Sequence, residues 1–559
     1  MDIKRNLLIA GLAVVSYLLL LAWNKDYPAT VTVPPAAAAT IPDTSVPSVN
    51  NGNDDLPVAP TPQGSAVTAA AATTETSGNT IVVQTPGQIV TIDLVGGDIV
   101  HLSLPKFPVA LDLPDQPFVL LNAQSPLRFT AQTGLIGTNG PDSAASGRPR
   151  YQAAQDRYTL SEGELNVDLT LPEQNGVSVT KRFIFSADDY LIRVQYVVAN
   201  EGSSAWSANI FGQVKRSGAP DPSTKSGFGM RTYLGSVMNK PDDPYEKLDF
   251  GDIDKGGNSY SGIGGWIGFS QHYFLSSWIP AADEMNNFST RKNAAGDYLM
   301  GYVGPETTVA PGQSAVLESA LWAGPKDQYR LEEIAPDLGL AIDYGKFWFV
   351  AYPVFWLLYK INSVVSNFGF SIVLLTLVIR LIFYPLSVKQ FRSQANMKRL
   401  QPKIAQLKEK HGDDKQKFMQ AQMELWKKEN VNPFSGCLPP LLQMPVFLGI
   451  YWVLNESVEL RHAGFMLWYH DLSAMDPYFI LPLLLGAAYY LQQHMTPMMI
   501  TDPTQAKVMK FMPVMFTVFF LWFPAGLVLY YLANAVIGIL QQWYFTRKTE
   551  KQYAAAAKG

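Results

Sequence analysis

The sequence predicts a polytopic α-helical membrane protein with a large extracytoplasmic all-β domain and a cytoplasmic helical hairpin. Three observations predict this fold class. Six apolar runs occur, one at residues 7–23 and five after residue 367. Between them, residues 79–325 alternate apolar and polar side chains in short runs, as strands with one buried face do. A basic segment, residues 387–433, separates two apolar runs and is typical of a cytoplasmic loop.

The composition excludes several function classes. The 559-residue chain has one cysteine, Cys437, so neither a disulfide framework nor a cysteine metal site can form within one chain. Its six histidines form no metal-ligand motif, and no nucleotide-binding loop or serine-hydrolase motif is present. We therefore expect no cofactor, no metal ion and no catalytic residue. Neither enzymatic activity nor direct DNA binding is expected.

The N-terminal apolar run follows Lys4 and Arg5, as in a signal peptide, but no small-x-small cleavage site comes after it. This pattern predicts an uncleaved anchor whose N-terminus is cytoplasmic. The next fifty residues are mostly Pro, Ala, Thr and Ser with almost no large aromatic side chain, which predicts a disordered linker. The alternating region that follows then lies outside the cytoplasm, and its many strands favour one large β-sandwich.

The apolar residues between Tyr352 and Asn367 share one helical face, which predicts an interfacial amphipathic helix that breaks at Asn367–Gly369. In the basic segment, 11 Lys and Arg stand against 5 Asp and Glu. Apolar residues there repeat at spacings of three and four from Met397 to His411, which indicates paired helices. Such a hairpin is either a solvated surface that only sets orientation, or a contact for RNA-rich or acidic partners or for emerging chains.

The predicted segments are an anchor (1–24), a linker (25–78), the β-domain (79–340), the interfacial helix (341–367), spans at 368–386, 434–454, 478–495, 508–523 and 525–545, the hairpin (387–433) and a short cytoplasmic tail (546–559). The third and fourth of these five spans hold only 14 and 13 apolar residues, at Tyr478–Leu491 and Phe511–Phe523. A bilayer core requires about 20. We expect local thinning of the bilayer or a water-filled recess there.

A positive charge, Arg380, lies inside the apolar run 368–386. An arginine in a membrane helix costs from roughly 2.5 to over 10 kcal/mol, so it is a functional candidate by default. No Asp or Glu occurs in the other apolar segments of the C-terminal half. Thr376 and Tyr384 stand four residues before and after Arg380, which predicts a polar stripe on one helix face. The stripe favours a wetted cavity open to the cytoplasm over snorkelling of the arginine to the headgroups.

Further polar groups fall in the other spans: Gln443, Thr517, Tyr530, Asn534, Gly538 and Gln541. Each alone is equally explained as a hydrogen bond between helices. Together with Arg380 they predict a hydrophilic groove, with methionines such as Met444 as adaptable apolar walls. Such a groove would let the polar tail of a nascent membrane protein cross. Arg380 would attract acidic groups, and the membrane potential would favour their outward movement without any nucleotide.

These residues, and motifs such as Tyr384–Pro385–Leu386, Gln443–Met444–Pro445 and Phe523–Pro524–Ala525–Gly526, resemble the YidC/Oxa family of membrane protein insertases. The resemblance implies a five-helix core with a lipid-exposed groove and an extracytoplasmic β-supersandwich similar to sugar-binding folds. It also implies insertion of nascent inner-membrane proteins, alone or with the Sec translocon and its SecDF subunits, and a hairpin that recruits substrate, ribosome or targeting receptor. Positions that match the family's groove are Thr376, Arg380, Gln443, Met444, Phe447, Phe519 and Tyr531.

Two other function classes remain open. A solute or ion transporter would need an intramembrane carboxylate or an inverted repeat, and neither is visible. An enzyme of the cell envelope would use the β-domain or His470–Asp471, but no constellation of residues supports chemistry there.

Overall fold

The computed structural model describes residues 55–58, 79–221, 232–411, 414–429, 431, 438–496 and 503–556. The predicted anchor lies outside the described residues, as does the predicted linker apart from its residues 55–58. Residues 432–437, at the start of the predicted span 434–454, and the last three residues of the chain lie outside them too.

The β-domain consists of two large sheets. Its strands are β1 Thr80–Gln84, β2 Ile89–Asp93, β3 Asp98–Pro108, β4 Pro117–Asn122, β5 Thr130–Ile136, β6 Gln152–Ala153, β7 Arg157–Thr159, β8 Glu164–Thr170, β9 Val177–Ser186, β10 Leu191–Asn200, β11 Trp206–Arg216, β12 Gly235–Met238, β13 Glu246–Leu248, β14 Asn258–Ile263, β15 Ile267–Ser270, β16 Phe274–Pro280, β17 Met285–Lys292, β18 Tyr298–Val309 and β19 Gln313–Pro325. The ten-stranded sheet has the order β14-β17-β18-β11-β5-β3-β2-β1-β7, with β4 beside β3. The nine-stranded sheet has the order β13-β12-β15-β16-β19-β10-β9-β8-β6. The predicted large β-sandwich is confirmed.

The alternation of side chains explains how the sheets pack. In β10, Ile192, Val194, Tyr196 and Val198 are buried, whereas the residues between them are more exposed. Because neighbouring side chains point to opposite faces of a strand, one face of β10 enters the core. Its partner β9 pairs with it in antiparallel register, with Val194 opposite Phe183.

A buried lysine links the two sheets. Lys181 on β9 donates hydrogen bonds to the carbonyl oxygens of Gly96, Gly97 and Thr133, at 3.0, 2.8 and 2.9 Å. A Cβ on Gly97, which has a φ of +64°, would lie 2.9 Å from the Lys181 Nζ, so a side chain there would displace the ammonium group. Burial lowers the pKa of Lys181 to about 7.

We expect this lysine to make the stability of the β-domain rise with pH. In the unfolded chain a lysine titrates near pH 10.4, so between about pH 7 and 10 the unfolded state binds a proton that the folded state lacks. The free energy of unfolding then increases by up to about 1.4 kcal/mol per pH unit in this window. Urea denaturation between pH 7.5 and 9.5 measures it, and Lys181→Met should flatten the slope. Equal slopes for the two proteins would contradict this prediction.

The remaining described elements are mostly helices: α1 Phe250–Asp254, α2 Gln328–Ile334, α3 Trp348–Val365, α4 Phe368–Ile382, α5 Tyr384–His411, α6 Lys415–Lys428, α7 Leu438–Glu456, α8 Ile480–Met495, α9 Pro503–Phe520 and α10 Ala525–Ala556. By length and composition, Gly345–Val365 and Ala525–Thr549 could each cross a membrane, and α4 with α5 would make a third span if the bent pair counts as one. The C-terminal helices are confirmed, whereas six spans remain a prediction.

The break between α3 and α4 falls where it was predicted. Ser366 ends α3 in the left-handed conformation, and the Asn367 side chain caps α4 by accepting a hydrogen bond from the Phe370 amide at 3.1 Å. Gly369 follows in the first turn, where an added Cβ would lie 2.1 Å from the Phe465 ring. Only a residue without a side chain allows this close approach of the loop after α7.

The prediction of one helix across 368–386 is wrong at its C-terminal end. Helix α4 ends at Ile382, and α5 begins at Tyr384 after a bend of 71°. Pro385 lies in the first turn of α5, where its missing N–H costs little. Tyr384 is therefore not on the helix of Arg380; its ring is 44% exposed and lies 5.9 Å from that of Phe545.

The basic segment forms two packed helices, α5 and α6. Their contact is made by Leu400, Ile404, Phe418 and Val431, whereas His411, at the end of α5, lies outside this cluster. Arg399 and Lys403 of α5 also reach the Glu429 carboxylate beyond α6, at 2.6 and 2.5 Å. At the end of the chain, the predicted tail from residue 546 continues helix α10 as far as Ala556.

The β-domain contacts the helices at the end of α7 and in the loop that follows it. Arg461 donates a hydrogen bond to the Pro108 carbonyl oxygen at 2.6 Å. The Glu456 carboxylate, fully buried, accepts one from the Thr232 hydroxyl at 3.0 Å. These contacts lie at the end of the bundle where α4 begins beside Phe465, whereas the basic hairpin continues from the other end of α4. The β-domain and the hairpin therefore lie at opposite ends of the bundle.

Candidate substrate groove

Arg380 lies between α4 and the last helix, α10, and is only 7% exposed. Its Nε donates to the Asn534 side-chain oxygen at 2.7 Å, and its Nη2 donates to the Asn534 carbonyl oxygen at 2.8 Å. Among the described residues no carboxylate forms an ion pair with it. A neutral amide and a carbonyl group thus fix the guanidinium without neutralising its charge.

A glycine on α10 makes room for this contact. Gly538 follows Asn534 by one turn, and a Cβ on it would lie 3.0 Å from the Arg380 Nη2 and 3.4 Å from the Gln492 Nε2. Tyr530, one turn before Asn534, is buried near the guanidinium. The predicted polar face of α10 is therefore the surface on which Arg380 lies, from Tyr530 to Gly538.

The polar stripe predicted along α4, from Thr376 through Arg380 to Tyr384, is not formed. Thr376 is buried and donates its hydroxyl to the Ile372 carbonyl oxygen at 2.7 Å, within its own helix. Tyr384 lies beyond the bend. The polar partner of Arg380 therefore comes from α10 and not from its own helix face, because the bend removes Tyr384 and the helix backbone satisfies Thr376.

Several predicted groove residues form an aromatic surface instead. Tyr531 is buried between Phe447, with ring centroids 4.4 Å apart, and Phe520, at 4.9 Å. Phe447 and Phe519 are 37% and 40% exposed, and Met444 is 49% exposed. We call Met444, Phe447 and Phe519 the apolar shelf. These side chains present a soft apolar surface outside the bundle.

Three predicted residues are not brought to Arg380 by any described contact. Thr517 donates to the Pro513 carbonyl oxygen at 2.8 Å and packs on Gly486, where a Cβ would overlap its hydroxyl. It therefore serves the contact of α8 with α9. Gln443 is half-buried on α7. Gln541 is half-buried, and its buried side-chain oxygen has no hydrogen bond within the described part of the chain.

The sequence did not single out a group of amides and hydroxyls near the hairpin end of α10. Gln542 donates to Gln394 at 3.2 Å and to Thr496 at 3.1 Å, which joins α10 to α5 and to the end of α8. Gln492, beside Gly538, belongs to the same end of α8. The sequence could have indicated Gln542, because it follows Gly538 by four residues and so lies near the face of α10 that contacts Arg380.

An apolar cleft of ≈ 300 Å³ lies along the contact between α8 and α10. It is lined by Ala487, Ala488, Leu491, Val536, Ile539 and Leu540. Polar and apolar surfaces thus alternate around α10, with the guanidinium on one face and this cleft on another.

Comparison with known proteins gives matches to both halves of the chain. Residues 80–357 match the family model of the YidC periplasmic domain, and residues 350–552 match that of the 60Kd inner membrane protein. Proteins named membrane protein insertase YidC from Pseudomonas fluorescens SBW25 and Pseudomonas putida GB-1 are each 48% identical to this chain, over the full length of both partners.

Solved structures give more distant matches. A crystal structure described as an active YidC insertase with its first transmembrane domain resolved is 19% identical, and the match covers 84% of this chain and 93% of the other, with a TM-score of 0.39. A galactose mutarotase related enzyme from Lactobacillus acidophilus is 10% identical, covering 44% of this chain and 97% of its own, with a TM-score of 0.31. The assignment to a family rests on the full-length relatives and not on these structures.

Proposed function

Because the chain belongs to the family of YidC membrane protein insertases, we propose that it inserts nascent membrane proteins by capturing acidic groups of their polar tails on Arg380. Membership itself makes the chain an inner-membrane insertase with a periplasmic β-domain and membrane-spanning helices. The proposal adds the path of the substrate through the groove and the role of the Arg380 charge. It also adds the partner proteins and the side of the membrane on which the termini lie. The observation that carries it is a buried guanidinium whose hydrogen-bond partner, among the residues that the structure describes, is a neutral asparagine.

The hydrogen bonds of Arg380 leave it able to bind a carboxylate. Asn534 occupies Nε and Nη2, and within the described chain Nη1 makes no hydrogen bond. Two opposite charges 4 Å apart attract by about 4 kcal/mol at the effective dielectric constant of a protein surface. The Asn534 contacts fix the guanidinium, so a carboxylate would meet a preorganised donor.

The apolar shelf would bind the apolar membrane segment of a substrate. A nascent membrane segment needs an apolar surface beside the site where its polar tail is held. Met444 and the rings of Phe447 and Phe519 are exposed on α7 and α9. Methionine is flexible and polarisable, and therefore adapts to varied side chains. The segment then leaves sideways into lipid, driven by the burial of its apolar surface.

The membrane potential supplies a driving force for the tail. Moving one negative charge outward across a potential that is negative inside gains roughly 2.3 kcal/mol per 100 mV. We infer that both termini and the basic hairpin are cytoplasmic, since the hairpin lies at the end of the bundle away from the periplasmic domain. Its exposed cations would recruit a ribosome or a targeting receptor. The periplasmic domain would meet the Sec translocon and its SecDF subunits.

A crosslinking experiment tests the groove. A photoreactive amino acid is placed at Met444 or Phe447 in the full chain, and ribosome-bound nascent chains of a single-span protein are added to the membranes. We expect adducts at both positions, because both side chains are exposed on α7 and Phe447 packs on Tyr531. The matched control is Val364, an apolar residue on α3 that is 84% exposed. Equal adducts at Val364, or none at Met444 and Phe447, would contradict the proposed path.

A further inference from the structure

A short part of the predicted linker is bound to the ten-stranded sheet. The side chain of Leu56 enters a pocket formed by Ile136, Phe211 and Val303, and only 9% of this leucine is exposed. The prediction of a disordered linker across 25–78 is therefore wrong at residues 55–58. Strands β5, β11 and β18, which are far from the linker in sequence, form the pocket, so composition alone could not reveal it.

The preceding residue is held by polar groups on the same face. The Asp55 carboxylate pairs with the Lys215 ammonium group and accepts a hydrogen bond from the Asn293 amide at 2.5 Å. Its carbonyl oxygen accepts hydrogen bonds from Gln213 and, at 3.0 Å, from Arg291. Burial alone would raise the pKa of Asp55, but Lys215 and Asn293 outweigh it, so the pKa is lowered.

Two of these donors are held in place by the β-domain itself. The buried Gln213 amide also donates to Gln132 at 2.8 Å, and Gln132 donates to Asp98 at 2.9 Å. The side-chain oxygen of Asn293 accepts a hydrogen bond from the Asp297 amide at 2.7 Å, which turns its NH₂ group toward Asp55. The donors are thus oriented by contacts that do not depend on the linker. This is the property of a preformed binding site.

The site binds a segment of two residues, Asp55 and Leu56. Pro57 has no N–H that needs a partner, and Val58 is 85% exposed. Among the four residues of this stretch that the structure describes, the specific contacts are made by the Asp55 carboxylate, the Asp55 carbonyl group and the Leu56 side chain.

We propose that this face of the periplasmic domain is a peptide-binding site for an extended aspartate–leucine segment, and that the chain's own Asp55–Leu56 occupies it in the resting protein. The occupant is tethered, because only residues 57–79 separate it from β1. A tether of this length gives an effective concentration on the order of millimolar, so the linker competes strongly with any free peptide. The inference is independent of the groove around Arg380.

A competition experiment tests the proposal on the full chain in detergent. The probe is a fluorescent peptide of residues 52–59, and its anisotropy reports binding. Wild type and the matched control Val58→Ser, which changes an exposed residue, should bind it weakly. The double variant Asp55→Ser/Leu56→Ser vacates the site and should bind it at least about tenfold more tightly, because the tethered competitor is gone.

A third substitution identifies the site. Lys215→Gln added to the double variant should remove the gain in affinity. If Lys215→Gln does not fold, Arg291→Gln replaces it, because Arg291 donates to the Asp55 carbonyl oxygen. The same peptide with asparagine in place of Asp55 and alanine in place of Leu56 should fail to bind. Equal binding by wild type and the double variant, or equal binding of the altered peptide, would overturn the proposal.

Discussion

Replacing Arg380 by alanine is expected to slow insertion of a single-span protein with an acidic outer tail by at least about tenfold, equivalent to ~1.4 kcal/mol of the activation free energy. The physical reason is the loss of the only described cation that contacts Asn534 at the centre of the bundle. Insertion is measured as protease protection of the tail in membranes depleted of the native insertase. The matched control is Arg157→Ala, which removes an exposed arginine from β7.

Lysine at position 380 separates charge from geometry. A lysine carries the same charge, but its three N–H groups point away from a single nitrogen. It therefore lacks the planar fork by which arginine meets both oxygens of Asn534 while a separate nitrogen faces the substrate. We expect Arg380→Lys to insert at a rate between wild type and Arg380→Ala. Loss equal to that of alanine would show that guanidinium geometry is required. Wild-type rates for both variants would leave Arg380 as a structural contact between α4 and α10 and would contradict the proposed capture.

Leucine at Gly538 is expected to impair insertion nearly as much as Arg380→Ala. Its Cβ would lie 3.0 Å from the Arg380 Nη2, and the rest of the side chain would displace the guanidinium from Asn534. Alanine needs a shift of only a few tenths of an ångström, so Gly538→Ala should stay near wild type. The same insertion assay measures both variants.

The control for this prediction is Val536→Leu, which enlarges an exposed residue two positions earlier on α10. Combining Gly538→Leu with Arg380→Ala should be no worse than either change alone, since both act on one contact. Additive losses, or a Gly538→Leu variant that inserts normally, would show that the glycine does not act through Arg380.

The sequence predicted those features that depend on neighbours along the chain. The strands of the sandwich, including β8, β9 and β10, lie within the predicted alternating region 79–325, because a sandwich strand needs one apolar face. The start of α4 after Asn367 is also local, because the Asn367 side chain caps the helix by accepting a hydrogen bond from the Phe370 amide. A basic segment with apolar residues at spacings of three and four also folds as two packed helices.

Features that depend on distant residues were missed or misplaced. The helix bends by 71° after Ile382, and α4 and α5 each pack against α10, so the spacing of Tyr384 from Arg380 along the sequence was misleading. Asn534 was placed in the groove, but its role as the direct partner of Arg380 required the pairing of α4 with α10. The binding of Leu56 required a pocket assembled from three strands.

The most direct test of charge capture varies the substrate instead of the insertase. Two single-span proteins that differ only in two aspartates or two asparagines in the outer tail are inserted by wild type and by Arg380→Gln, with the membrane potential dissipated to remove its own preference for negative charge. If Arg380 attracts the tail, wild type inserts the aspartate protein faster, and this ratio falls toward one in Arg380→Gln. An unchanged ratio in the variant would contradict electrostatic capture by Arg380.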